Sequence, residues 1–153
     1  MKILVDADSC PAGTRRVILK AAETRRIQVV FAANRLIPGV KGRFVVMARC
    51  PEHSGAADDF IAGLAESGDL AVTRDVPLAC RLTEMGVSVL DDRGRVFTPD
   101  NIRTCLSIRD FQVGLAMSGA EIIRTANYGQ KELKLFADSF DRLLTKLSRN
   151  PPN

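Results

Sequence analysis

Tryptophan is absent from this chain, and tyrosine and histidine each occur once in 153 residues. There are seven phenylalanines, and most fall at core spacing. No base-stacking platform for single-stranded nucleic acid is visible. The four cysteines, Cys10, Cys50, Cys80 and Cys105, are widely spaced and form no CxxC pair. They read as reduced thiols in a reducing compartment. Cys50 and His53 have metal-ligand spacing and Cys10 could join them, but a structural zinc site usually needs four such ligands. No apolar run approaches the ~20 residues of a membrane span. Met1 to Val5 leads directly into Asp6 without a secretory signal. The expectation is a cytoplasmic protein. Low-complexity stretches and internal repeats are also missing.

What is present is ordinary core-forming material. Hydrophobic residues make up 46% and charged residues 26% of the chain, the balance of a soluble globular protein. The length predicts one domain over residues 1–149. Residues 150–153, with two prolines, are expected to form a disordered tail. The net charge of +4 is compatible with an anionic partner such as nucleic acid, and equally with a soluble surface carrying extra arginines.

Short apolar runs predict strands over 2–6, 27–33, 43–48, 69–73 and 87–90. Amphipathic segments predict helices from Pro11 to Arg26 and over 56–67, 75–85, 101–118 and 130–147. Ser9 or Asp8 is a candidate cap for the first helix, Phe60, Ile61 and Leu64 supply core spacing on the second, and Gly68 is its stop. Residues 91–97 read as a turn with a short extended piece. Alternating strands and helices predict an α/β, three-layer domain. Its mainly parallel sheet has about five strands, helices cover both faces, and two C-terminal helices pack back onto it.

Ligands of such sheets bind beyond the carboxyl ends of the strands, near the point where the strand order reverses. Asp6 and Asp8 follow the first strand. Asp75 follows the fourth, after Thr73 and Arg74, and Asp58 and Asp59 open the helix that precedes it. Asp69 falls at the opposite edge, as a turn residue. Each rim acid taken singly is a candidate helix cap. Together they predict one carboxylate-lined rim. Like charges gathered there stay ionised only if cations neutralise them or one takes up a proton. Oxygen ligands with little histidine favour Mg²⁺ or Mn²⁺ over zinc. Such ions activate water and stabilise a departing oxyanion at phosphorus, so phosphodiester hydrolysis is the chemistry that fits.

The same residues carry a family resemblance. VDADSCP at 5–11, GDLAVTRDVPLA at 68–79, ADDFI at 57–61, RGRVFTPDNI at 93–102 and RDF at 109–111 resemble the YaiI/YqxD family of bacterial proteins. That family is grouped by fold with PIN-like nuclease domains. The resemblance implies a metal-dependent nuclease centre in which Asp6, Asp8, Asp58 or Asp59, and Asp75 hold Mg²⁺ or Mn²⁺. Thr73 would orient a carboxylate or a water. It also implies that a homodimer is plausible. Two segments depart from the family pattern: IIRTANYGQ at 122–130 stands for a Gly-Gly-Pro-like loop, and DDRG at 91–94 for Asn-Pro-Arg-Gly.

Three functions follow as expectations. The first is a Mg²⁺- or Mn²⁺-dependent nuclease acting on single-stranded RNA. The second is a phosphatase of the haloacid dehalogenase type, with the DxD of VDADS at a strand end, although Cys10 stands where Thr or Val is usual and no partner lysine can be placed. The third is a non-catalytic RNA- or protein-binding domain. Arg15, Arg16, Arg74, Arg93, Arg103 and Arg109 are the candidate phosphate contacts, Arg74 foremost.

Overall fold

The computed structural model describes residues 1–119 and 127–151. Residues 122–126 of the divergent segment and residues 152–153 of the expected tail lie outside the described residues. The elements run β1 (Ile3–Asp6), α1 (Ala12–Arg25), β2 (Val29–Ala33), β3 (Val45–Arg49), α2 (Ala56–Leu64), β4 (Leu70–Val72), α3 (Val76–Glu84), β5 (Ser88–Leu90), β6 (Val96–Phe97), α4 (Ile102–Met117) and α5 (Gln130–Arg149).

The strands form one sheet in the order β3-β2-β1-β4-β5-β6. The first five are parallel and β6 is antiparallel to β5. The order reverses beside β1, so the ends of β1 and β4 frame the crevice that such sheets offer to ligands. Side chains alternate between faces along each strand. Ile3, Val5 and Phe31 therefore pack with Ile18 of α1 and Phe136, Phe140 and Leu144 of α5. Leu4, Val30 and Ala71 pack on the other face with Ile61, Leu78 and Leu82 of α2 and α3. Both faces are covered, which is why the strands are continuously apolar.

Several elements differ from the sequence expectation. The sixth strand arises because Asp91 Oδ1 accepts from the backbone N–H of both Arg93 and Arg95 at 2.9 Å, closing a turn that brings Val96 and Phe97 back onto β5. Helix α2 stops at Leu64, short of Gly68. There Asp69 Oδ2 accepts from Glu66 N at 2.9 Å, which draws the chain into a turn. Phe60 and Leu64 are exposed, and the buried face of α2 is made of Ala57, Ile61 and Ala62. Helix α1 has Pro11 at its N-cap with no side-chain cap, and Asp8 is turned elsewhere. Helix α4 seats only Ile102 and Cys105 in the core, while Ile108, Phe111 and Met117 are 52%, 66% and 86% exposed. Among the described residues no helix is long and apolar enough to cross a membrane.

Asp69 does more than terminate a turn. It is buried, accepts from Lys2 N at 2.9 Å through its other oxygen and pairs with Lys2 Nζ at 2.7 Å. Asp69→Ala strands two backbone donors, and denaturant unfolding should read a loss of about 2 kcal/mol. A loss below about 0.5 kcal/mol would mean that water serves those donors equally well.

Candidate functional site

The rim begins at the last residue of β1. Asp6 pairs in register with Ala32 of β2, and its carboxylate projects past the end of the shorter β4. Thr73, the first residue beyond β4, donates from Oγ1 to Asp6 Oδ2 at 3.0 Å. The same Oγ1 accepts from Asp75 N at 3.0 Å. Thr73 thus ties the ends of the two central strands together and sets the spacing of Asp6 and Asp75. Asp75 is the N-cap of α3, with Oδ1 accepting from Leu78 N at 2.8 Å. It is a cap and a rim residue at once, because α3 starts at the carboxyl edge.

Asp8 follows the end of β1 by two residues. Its Oδ2 accepts from Asn34 N at 2.9 Å, which pins the loop after β2. Asp58, in the first turn of α2, faces the crevice. A helix rotates by about 100° per residue, so its neighbour Asp59 points away and pairs with Arg81 Nη1 of α3 at 2.9 Å. Asp6, Asp8 and Asp58 line a shallow pocket of about 190 Å³ together with Asn34, Glu52 and His53.

The electrostatics report this gathering. The carboxyl of Asp6 is raised to about 6, first by burial and then by Asp58, Asp75 and Asp8, against the lowering effect of the Thr73 hydrogen bond. Asp58 is raised as well, by burial and by Asp75, with Arg81 opposing. The neighbouring carboxylates thus add to burial in disfavouring the ionised forms of Asp6 and Asp58.

As the side chains stand, no group of three or more His, Cys, Asp and Glu among the described residues is arranged to hold a metal ion. The donor chemistry nevertheless fits Mg²⁺ or Mn²⁺. Asp6, Asp8 and Asp75 each commit one oxygen to the protein hydrogen bonds above, and among the described residues the other is unpaired. Mg²⁺ keeps several waters and takes only one or two carboxylates, with substrate phosphate completing the shell. An open rim suits that habit better than a closed cage. The cysteine–histidine grouping does not suit zinc. Cys10 and Cys50 are buried, and among the described residues they and His53 are not gathered into a group of three that could hold a metal.

Sequence reasoning missed three acids near this edge. Glu52 lines the pocket from the loop after β3. Asp91 and Asp92 follow β5 and are buried. DDRG reads as a plain turn, and only the rule that ligands sit beyond strand ends could have drawn attention to it.

Residues 4–146 match the family model described as "Uncharacterized BCR, YaiI/YqxD family". Among curated proteins the chain is similar to a "UPF0178 protein" of Treponema denticola, 46% identical over 95% of this chain and 93% of the relative. A protein of the same name from Syntrophobacter fumaroxidans is 41% identical over 95% of both chains. One from Myxococcus xanthus is 40% identical over 99% of both. No solved structure matches significantly.

Proposed function

The chain belongs to the YaiI/YqxD family, and from that premise and the carboxylate rim we propose that it is a metal-dependent nuclease that hydrolyses phosphodiester bonds of single-stranded RNA. The observation that carries this reading is the convergence of Asp6, Asp8 and Asp58 on one open pocket, with Asp75 tied beside Asp6 through Thr73, an array of like charges that repel one another. Evolved folds rarely leave such repulsion uncompensated, and divalent cations compensate it directly.

Asp6, Asp8, Asp58 and Asp75 would hold Mg²⁺ or Mn²⁺, which supplies charge neutralisation at phosphorus and a lowered pKa for water. The protein's own part is positional. Thr73 orients Asp6 and fixes its distance from Asp75. Asp8 ties the β2–β3 loop to the rim. Asp59, held by Arg81, keeps the turn of α2 in place and is not a ligand in this reading. With one carboxylate oxygen free on each of Asp6, Asp8 and Asp75, the rim can orient water for in-line attack without any acid becoming a covalent nucleophile.

The test is calorimetric titration of Mn²⁺ into metal-free protein, followed by a cleavage assay on single-stranded RNA. Saturable binding that disappears in both Asp6→Asn and Asp75→Asn, with cleavage lost in parallel, is the expected result. Cleavage that survives both substitutions in purified protein would overturn the site.

A further inference from the structure

We propose that Arg74 binds a phosphate of the RNA at this rim and that Asp92 is the positioning residue that aims it, an inference that rests on the nuclease reading of the acidic site. The sheet register brings the pair together. Val72 of β4 lies beside Leu90 of β5, so the residues two places further on, Arg74 and Asp92, leave neighbouring strands at the same edge. Asp92 Oδ2 stands 3.5 Å from Arg74 Nε.

The state of Asp92 calls for a function. Its side chain is 3% exposed, and Oδ2 has no hydrogen-bond partner among the described residues. Burying a carboxylate with an unsatisfied oxygen costs stability, and native proteins carry few such groups. The separation from Nε exceeds the 2.7–2.9 Å or so of a strong charge-assisted hydrogen bond. The pair is therefore an electrostatic anchor and not a tight bidentate clamp.

Arg74 has the complementary character. Its side chain is 47% exposed, and Asp92 is its only ion-pair partner among the described residues. In sequence it lies between Thr73, which holds Asp6, and Asp75. With Nε turned towards Asp92, the two Nη groups are left to grip an anion with the planar fork that suits phosphate. A rim of four carboxylates repels phosphodiesters. A cation fixed in place beforehand offsets that repulsion without the ordering cost of a free side chain. The half-exposed Arg74 side chain keeps contact with solvent at the same edge as the acids, where a phosphate can reach it.

The experiment measures binding of a fluorescein-labelled ten-nucleotide single-stranded RNA to the full chain by anisotropy, in EDTA and over a salt series. Arg74→Ala is expected to weaken binding about tenfold and to lower the log–log salt slope by about one, the signature of one lost phosphate contact. Arg74→Lys restores the charge and only part of the affinity. Asp92→Asn weakens binding by about threefold to fivefold, and this loss vanishes when Arg74 is already alanine, as coupling through one side chain requires.

Wild-type affinity and slope in Arg74→Ala would overturn the phosphate contact, as would wild-type protein that binds no RNA. A loss from Asp92→Asn that persists undiminished beside Arg74→Ala would overturn the positioning role. Mn²⁺ calorimetry on the same variants keeps the two proposals apart. Neither variant should lose metal binding. A wild-type chain that holds RNA through Arg74 but takes up no Mn²⁺ and cleaves nothing would sink the nuclease reading alone.

Discussion

At pH 8 and without divalent metal, Asp6→Asn will unfold less readily than the unmodified chain, and on the proposed nuclease reading it will hold no Mn²⁺ and cleave no RNA. The two effects have one origin. Asp6 sits with its carboxyl raised from 3.8 to about 6, so its ionised form is worse off in the folded protein than in the unfolded one. The sign follows from linkage. A group with a raised folded pKa contributes stability below its unfolded pKa and loses that contribution as pH rises through the folded value. Asp6 should therefore withdraw about 2 kcal/mol of stability from the metal-free protein between pH 4 and pH 7, at about 1.4 kcal/mol for each pKa unit. The carboxamide that Asp6→Asn introduces cannot ionise and can still accept from Thr73, so the variant escapes that loss. Denaturant unfolding across pH 4–8 measures it, and the two curves should converge at the acid end. A variant less stable than the parent at pH 8 would show that Asp6 is not under the repulsion assigned to it.

The functional half is larger. Losing an outer-shell partner of a metal ligand costs 10- to 100-fold or so in affinity or activity. Losing a ligand should exceed that, and cleavage by Asp6→Asn is expected to fall more than about a hundredfold. Stabilisation accompanied by loss of activity is the mark of a site that stores strain for function. Parent-like cleavage in the variant would remove Asp6 from the site.

The alternation of apolar runs and amphipathic helices made the parallel sheet legible, because strands buried on both faces must be continuously apolar. Helix-start and strand-end positions in the sequence then place Asp6, Asp8, Asp58, Asp59 and Asp75 at one edge. What stayed hidden depended on contacts between distant segments. Asp58 and Asp59 both open α2, and the partner that holds Asp59 aside, Arg81, lies 22 residues further on. Strand β6 is two residues long, too short for periodicity, and it exists because of hydrogen bonds made by one Asp91 oxygen. The burial of Asp92 cannot be read from DDRG, since its neighbour Arg74 is not local. The apolar residues of α4 predict burial, and the exposed Phe111 and Met117 show that an apolar pattern marks a face without naming what covers it.

Gly94→Ala will cost at least about 3 kcal/mol, for two reasons that add. Gly94 has φ +85°, where a residue with a Cβ is strained by about 1–2 kcal/mol. A Cβ there would also stand 2.4 Å from Leu135 O and 2.6 Å from its carbonyl carbon. Those atoms are backbone of α5, so no rotamer change relieves the overlap. The whole helix must shift, and with it Phe136 and Phe140, which stack at 5.2 Å in the core beneath β1. Denaturant unfolding measures the loss, and a change below about 1 kcal/mol would mean that α5 can retreat at little cost. The same substitution reaches the rim. Gly94 closes the turn that holds Asp91 and Asp92, so displacing it loosens the anchor of Arg74. In a Gly94→Ala protein that still folds, RNA affinity should fall before Mn²⁺ affinity does, because the turn carries Asp92, the ion-pair partner of Arg74, and none of the proposed metal-holding acids.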